Sequence, residues 1–572
     1  MNANKELAKI FYEIADFLRM GKIDFRPKAY ENAGDSLSIL EKDVSLIYKQ
    51  QGLKGLDEIP GVGESIAKKI EEYLKTGKMK YYQRLKRKIP IDLYEIVKVE
   101  GVGLVKAKIL YVKLGIKNLQ DLEKSAKNNE IAPLFGFGEK TETNILQAIE
   151  FLKTSKGKFL LAEILPIAQE IESKLKNQKQ VKKISLCGSL RRKKELIKDI
   201  DILASAENPK KVMDFFTTLP GVIKVWRKGT TFSSIRNKQG IDIDLRIVPA
   251  KSFGSALQYF TGSVEHNIVT RKIAMKKGLK LNEYGLFKNS KAIAGKNEKE
   301  IYKKLGMDLP PPEIRENKGE IETILPKLIE LKNIKGDLHC HSKWSDGDNS
   351  IKEMAQTAIA LGYEYLGISD HTKSLKILHR TVSEKQLIEQ RKVIDVLNKK
   401  FNSKNLKFKL LQSAETNILN NGSIDIKDNS LKKLDYAIAG IHSGFKMSKQ
   451  QMTQRIINAM KNPYIKVIVH PTGRVLKTRQ AYEIDFGKIL RAAKEFGIIL
   501  EINACPARLD LSDKNIRIAK QVGVKMIINS DAHSKDQLKN MEFGVYQARR
   551  GWAEKKDILN TKSLDKILKF LK

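Results

Sequence analysis

The chain has 572 residues, 106 of them Lys or Arg and 67 Asp or Glu, for a formal charge of +39. With 30% charged and 41% hydrophobic residues it reads as globular, which excludes general disorder, and no run of about 18 apolar residues offers a membrane span. The cationic surplus points to a polyanionic partner, most simply nucleic acid, with a lysine-rich proteome as the bland alternative. Cys187, Cys340 and Cys505 form no CxxC pair, which excludes a disulfide scaffold and a thiolate zinc finger. The opening Met-Asn-Ala-Asn-Lys-Glu-Leu has no apolar signal core, so the expected location is the reducing cytoplasm.

In chain order, residues 1–150 read as helical, with apolar positions at helical spacing in Leu7, Ile10, Phe11, Ile14 and Phe17. Short β-rich runs follow at Val181–Leu186, Ile200–Leu203, Val222–Val225 and Ile241–Val248. Residues 251–310 read as mixed helix and loop, and Leu309-Pro310-Pro311-Pro312 stops any helix there. A charged stretch, 316–333, is expected to be helical. From Gly336 onward, short apolar strands alternate with amphipathic helices: Tyr365–Ser369, Ala437–Ile441, Ile465–His470, Ile498–Ile502 and Met526–Ser530. That alternation implies a parallel sheet closed as a barrel. Of the eight histidines, only His266 precedes residue 330, so charge and histidines suggest two chemistries on one chain.

Pro60-Gly61-Val62-Gly63 and Glu100-Gly101-Val102-Gly103 each join two helical segments. Glycine permits positive φ and lets a phosphate approach the backbone, and the amides opening the next helix then point at that phosphate. Phe135-Gly136-Phe137-Gly138 is a weaker third candidate that also reads as a plain loop. Each of the first two matches a helix–hairpin–helix element. A packing turn is the alternative, and the second copy weighs against it.

Asp199-Ile200-Asp201-Ile202 alternates on a strand, which puts both carboxylates on one face, and Asp242-Ile243-Asp244-Leu245 repeats the pattern. Convergent carboxylates repel unless cations neutralise them, and hard oxygen ligands suit Mg²⁺ or Mn²⁺. Upstream, Cys187-Gly188-Ser189-Leu190-Arg191-Arg192 offers a glycine turn, a hydroxyl and two guanidiniums, a composition that suits a triphosphate.

Gly188-Ser189 with Asp199-x-Asp201 and Asp244 resembles the nucleotidyltransferase signature of family X DNA polymerases. Tyr259-Phe260-Thr261-Gly262-Ser263 is similar to that family's nucleotide-pocket segment, and the likeness extends through His266-Asn267, Arg271 and Leu281–Gly285. The resemblance implies that Asp199 and Asp201 bind both metals and that Asp244 assists the primer 3′-hydroxyl. Gly188, Ser189 and Arg192 would hold the triphosphate. Tyr259, Phe260 and Gly262 would shape the sugar pocket in favour of dNTPs, and Asn267 and Arg271 would reach the nascent pair. Asp242 is an extra acid, expected to face solvent or to tune Asp244. Phe232 stands where the family often has a lysine. Lys69, with Lys68 and Tyr30 nearby, matches the Schiff-base lysine of a 5′-deoxyribose-phosphate lyase; a simple phosphate contact is equally compatible.

Six histidines and three acids fall at strand ends: His339, His341, Asp346, His371, Glu415, His442, His470, Asp531 and His533. Strand ends of a β/α barrel converge on one face, and imidazole with carboxylate suits Zn²⁺ or Mn²⁺. The pattern resembles the polymerase-and-histidinol-phosphatase (PHP) domain. That resemblance implies a distorted barrel of about seven strands, a cluster of up to about three metals held by these nine residues, and phosphoester cleavage. Cys505 reads as a packed thiol, Arg474 as a candidate phosphate contact, and His379 carries no assigned role.

The expected organisation is multidomain α+β. It comprises a helical domain (1–80) with the first hairpin and a fingers-like helical domain (81–150) with the second. A nucleotidyltransferase palm (151–250), a nascent-base-pair, thumb-like domain (251–315), a linker (316–335) and the PHP domain (336–572) follow. The order resembles the bacterial and archaeal family X polymerases. It implies a monomer that acts on gapped or primer–template DNA with dNTPs, in base excision repair, with 3′→5′ exonuclease and abasic-site endonuclease as expected activities of the barrel. The rival readings are a DNA-end binder with a vestigial site and a template-independent transferase.

Overall fold

The computed structural model describes every residue except 1–2, 21–25, 41–42, 60, 89, 98, 100, 156, 373–379 and 572; Pro60, Glu100 and His379 therefore lie outside the described residues. The chain divides into two compact units, Met1–Lys156 with Lys477–Arg479, and Gly157–Leu476 with Gln480–Lys572.

The first unit is helical, as its periodicity predicts. Helices α1 (Ala3–Met20), α2 (Arg26–Ile39), α3 (Val44–Asp57) and α4 (Glu64–Thr76) bury Leu7, Phe11, Ile14, Leu37, Leu56 and Ile70 in one core. A second core gathers Ile96, Val102, Leu110, Leu122 and Ile145 around α5 (Leu104–Leu114), α6 (Leu119–Lys127) and α7 (Glu139–Ser155).

The second unit opens with a five-stranded mixed sheet. Its strands are β1 (Val181–Leu186), β2 (Asp199–Ala206), β3 (Val222–Lys228), β4 (Phe232–Asn237) and β5 (Asp242–Ile247), in the spatial order β1-β2-β5-β4-β3. Only the β2–β5 pair is parallel. Ile200, Ile202, Ile243 and Leu245 face α8 (Leu161–Lys176) and α9 (Pro209–Thr217), so the alternating aspartates face the other side. Residues 251–310 contain more strand than expected. After α10 (Phe253–Thr261) and α11 (Val264–Lys276), β6 (Lys280–Asn282), β7 (Gly285–Lys288) and β8 (Lys291–Ala294) form an antiparallel meander.

Segment 316–333 is not the expected helix. It runs through turns and extended backbone to a short 3₁₀ turn at Leu331–Asn333, with Gly319 at φ 99° and Pro326 unable to donate a helical hydrogen bond. Nor is it a loose linker, because Glu320 pairs with His266 at 2.7 Å, both side chains fully buried.

The remaining residues form the expected barrel. Parallel strands β9 (Gly336–Cys340), β10 (Tyr365–Ile368) and β11 (Lys409–Gln412) continue, through a two-residue break, into β12 (Glu415–Asn417), β13 (Ala437–Gly440), β14 (Ile465–Ile468), β15 (Ile499–Asn503) and β16 (Met526–Asn529). The Cys340–Ala532 bridge closes the ring. Leu476, Leu509 and Phe543 of the barrel region join the core beneath the mixed sheet, so sheet and barrel share buried surface.

Candidate functional site

The parallel register sets Asp199 beside Asp242 and Asp201 beside Asp244. Burial lifts the Asp201 carboxyl to about 7; the charges of Asp199 and Asp244 add to that effect, and Arg192 and Arg246 oppose it. Asp199 is also lifted, chiefly by burial. Acids crowded this way form a donor set that fits divalent cations, which would relieve the repulsion. Gly188 closes one side of the centre. Its φ is 60°, which favours glycine, and a Cβ there would meet Asp201 Oδ2 at 2.0 Å, so any larger residue would push that carboxylate aside. Ser189 lies in the helical turn Gly188–Arg191, immediately after Cys187, whose amide donates to the Asp201 carbonyl at 2.8 Å.

Asp242 meets one of its two expectations. It keeps 38% of its side chain exposed, as the first expectation has it, and there accepts two hydrogen bonds from Arg236 and one from Trp226 Nε1, all at 2.8 Å, rather than serving Asp244. Phe232, in the lysine position, lies between Arg227 and Arg246, whose guanidinium carbons stand 5.1 and 4.6 Å from its ring centre.

Tyr259 and Phe260 meet edge to face at 5.1 Å. Asn267 is buried, donates to the Tyr259 carbonyl at 2.7 Å and accepts from Gln258 at 2.8 Å; it braces this segment rather than projecting from it, whereas Arg271 is exposed. Arg192 is 9% exposed, donates to the Thr261 carbonyl and pairs with Glu316 at 3.0 Å. Gly262, at φ 66°, lies against it, with a Cβ position 3.1 Å from Arg192 Nη1.

In the barrel all nine expected residues come together. Glu415 sits at the centre: His442 and His470 approach Oε1 at 2.8 and 2.9 Å, while His339, His371 and His341 approach Oε2 at 3.1, 3.2 and 3.4 Å. Asp531 lies 3.2 Å from His341, and Asp346 lies 3.3 Å from His533. Three overlapping groups have donor atoms mutually within 4.8 Å: His341, Asp346, His371 and His533; His339, His341, Glu415 and Asp531; His371, Glu415 and His442. Among the described residues, the buried Nδ1 atoms of His341 and His470 have no hydrogen-bond partner, as expected for a site built for cations. Burial pushes the His371 imidazole down to about 3 against the pull of Glu415, which keeps it in the neutral form that metals bind. Burial also opposes charge on His533, but Asp346 and Asp531 hold it up to about 9.

Two residues here were not anticipated. Glu501, fully buried, accepts from His339 Nδ1 at 2.7 Å and from the His470 amide at 2.8 Å, the placement of a carboxylate that orients a ligand. Its signal was an acid inside an apolar strand, two residues before Asn503. Arg508 stands 3.6 Å from Asp531. Arg474, expected at a phosphate, instead pairs with Glu195 at 2.7 Å and donates to the Leu509 carbonyl, because the mixed sheet lies over that side of the barrel. Cys505 is half-buried, and burial raises its thiol.

In the helical unit, Gly61 and Gly101 take φ 78° and 90°, and Gly63 and Gly103 cap α4 and α5 without any side-chain hydrogen bond. Glycine at both N-caps leaves the first-turn amides open to an approaching phosphate on the capping residue's side. The third candidate turn, directly before α7, differs: Gly136 and Gly138 both take positive φ, at 84° and 86°, whereas Gly63 and Gly103 lie at −92° and −81°. Lys69 Nζ bonds to Ser65 at 2.9 Å and stands 5.8 and 5.4 Å from the ring centres of Tyr30 and Tyr81.

Fold and sites together define a nucleotidyltransferase core joined to a barrel built for a metal cluster. Comparison with known proteins agrees. Residues 2–79 match the helix-hairpin-helix domain family, 94–150 the SAM-like helix-hairpin-helix tandem, 256–316 the DNA polymerase beta thumb and 337–505 the PHP domain. The DNA polymerase/3′-5′ exonuclease PolX of Bacillus subtilis is 36% identical over 575 residues, covering 99% of both chains. A probable phosphatase of Thermoanaerobacter sp. is 35% identical over 173 residues, covering 28% of this chain and 68% of that protein. A probable phosphatase of Caldicellulosiruptor bescii is 29% identical over 248 residues, covering 41% and 95%. The chain belongs to the PolX family of family X DNA polymerases that carry a PHP domain.

Proposed function

We propose that this protein is a template-directed DNA polymerase that fills short gaps during repair, and that its barrel hydrolyses nucleotides from 3′ ends. The carrying observation is the convergence of Asp199, Asp201 and Asp244 on one half-buried sheet face, against the turn that Gly188 makes at φ 60°. Divalent cations bound there, Mg²⁺ or Mn²⁺, would neutralise the acids and hold the attacking and leaving oxygens of an in-line displacement. Asp199 and Asp201 are assigned to both cations. Asp244, beside Asp201, orients the primer 3′-oxygen that attacks the α-phosphate of a dNTP, and pyrophosphate leaves. The Gly188–Ser189 turn offers amides and a hydroxyl to the triphosphate, and Arg192 would exchange Glu316 for that anion. Tyr259 and Phe260 crowd the sugar 2′ position, which favours dNTPs.

In the barrel, Mn²⁺ or Zn²⁺ would supply an activated water for phosphodiester cleavage. His339, His341, Asp346, His371, Glu415, His442, His470, Asp531 and His533 are assigned as its ligands. Glu501 holds His339 in one orientation and tautomer. Gly61, Gly63, Gly101 and Gly103 are assigned to DNA backbone contacts, and Lys69 to a lyase or phosphate role.

Extension of a primer across a one-nucleotide gap tests the reading: the matching dNTP is added to gapped duplex and not to a single strand. Extension of the single strand would favour a template-independent transferase, and equal extension by the Asp201→Ala variant would end the polymerase reading.

A further inference from the structure

The acid-bearing face of the sheet continues beyond Asp244. Facing residues of neighbouring strands share one side of a sheet. The register therefore carries one row from Asp199 through Asp242 and Arg236 to Lys224, and a second from Asp201 through Asp244 and Ser234 to Arg227. Both rows end in cations on β3, the outer strand. The β3–β4 register slips between Val225 and Arg227, and Trp226 falls in the slip.

The Trp226 indole turns back over the sheet. Its Nε1 donates to Asp242 Oδ1 at 2.8 Å, while Lys224 Nζ stands 3.8 Å and the Arg236 guanidinium carbon 5.0 Å from its ring centre. Asp242 also takes the bidentate pair from Arg236. One carboxylate thus fixes an indole between two cations, one pairing step from the catalytic acids. Trp226 is 47% exposed, and β3 is exposed from Ile223 to Lys228. A large aromatic in this position contributes little to the core, and its surroundings suit a ligand with both anionic and flat apolar surface.

The position identifies that ligand. A primer whose 3′-oxygen meets Asp244 brings its duplex onto this face, and a sugar–phosphate backbone offers anions for Lys224 and Arg236 and deoxyribose for the indole. We propose that Lys224, Trp226 and Arg236, held by Asp242, form a rest for the DNA backbone beside the primer terminus. Asp242 is on this account a positioning residue for Arg236 and Trp226 rather than a metal ligand, which gives the extra acid a role. The proposal rests on the polymerase reading.

The test measures affinity of the full chain for labelled gapped duplex and for single strand, without dNTP, alongside KM for gapped DNA and kcat. Lys224→Ala weakens duplex binding about fivefold and reduces the slope of log affinity against log salt by about 0.9, the value of one phosphate contact. Trp226→Ala weakens it by about fivefold with little change in slope, and Trp226→Phe restores most of the loss. Both raise KM for DNA while kcat at saturating DNA holds. Arg236→Ala is the most damaging, because Asp242 is left uncompensated, and adding Asp242→Ala recovers part of the loss. Unchanged duplex affinity in both Lys224→Ala and Trp226→Ala would overturn the proposal, as would an equal loss on single strand. Binding is read without catalysis, so failure here leaves the polymerase reading standing. If the wild type failed to extend a gapped primer, that reading would fall by itself.

Discussion

Gly188 shows how one residue type can decide a catalytic centre. A methyl group there would collide with Asp201 Oδ2 and would have to adopt φ 60°. Gly188→Ala is therefore expected to lower the rate of dNTP addition by about a hundredfold or more, since misplacement by about an ångström is enough. Trimming of 3′ ends by the barrel should continue, and single-turnover kinetics on the two substrates would check both. Glu501 gives the matching case in the barrel. Glu501→Gln removes the carboxylate that fixes His339 and is expected to weaken metal retention about 10–100-fold, measured by titration against a chelator. The carboxylate pair was legible because period-two alternation in Asp199–Ile202 is hard to misread. Glu501 was not, because a single acid in an apolar strand carries no pattern, and its partner His339 lies far away in sequence.

At the scale of elements, the two glycine-capped helix starts separate a packing turn from a phosphate site. Gly103 has φ −81° and nothing within 4 Å of a Cβ position, so alanine fits the fold. Gly103→Ala is expected to keep the wild-type melting temperature yet weaken duplex DNA binding about threefold to tenfold, because the methyl group holds the phosphate away from the amides. Unchanged affinity would make the turn a packing device. The same scale shows what sequence patterns miss. Strand β4 went unread because its inward residues include Ser233 and Asn237, which are buried but polar. Segment 316–333 read as helical because its charges mimic a solvated helix face, whereas its fold is set by partners elsewhere, chiefly His266 and Asp513.

Across the molecule, buried ion pairs tie the chain around Glu298 and Arg315 to the nucleotide side of the sheet. Glu298 accepts from Arg191 and from Arg315, which is 1% exposed. Burial opposes its charge, but Arg315 and Arg191 prevail and hold the carboxyl down at about 2, below its unfolded value of about 4.5. A depressed acid contributes stability above its unfolded pKa and loses it as pH falls toward the folded one. Stability should thus decline between about pH 4.5 and 2 through this group, and Glu298→Gln should flatten that decline. At pH 7 the variant should lose about 3 kcal/mol in denaturant unfolding, because Arg315 stays buried without its charged partner. Sheet and barrel also meet through Arg474–Glu195 and through Arg550, which donates to the Arg192 carbonyl. Such contacts join residues hundreds of positions apart and leave no local signature, whereas the order of the domains was plain from their motifs.

The most direct measurement follows two activities on one labelled gapped primer, in the Asp201→Ala and His341→Ala variants. The account predicts a clean exchange. Asp201→Ala loses dNTP addition and keeps Mn²⁺-dependent shortening of the 3′ end, and His341→Ala loses shortening and keeps addition. Addition surviving in Asp201→Ala, or both activities disappearing together in either variant, would contradict it.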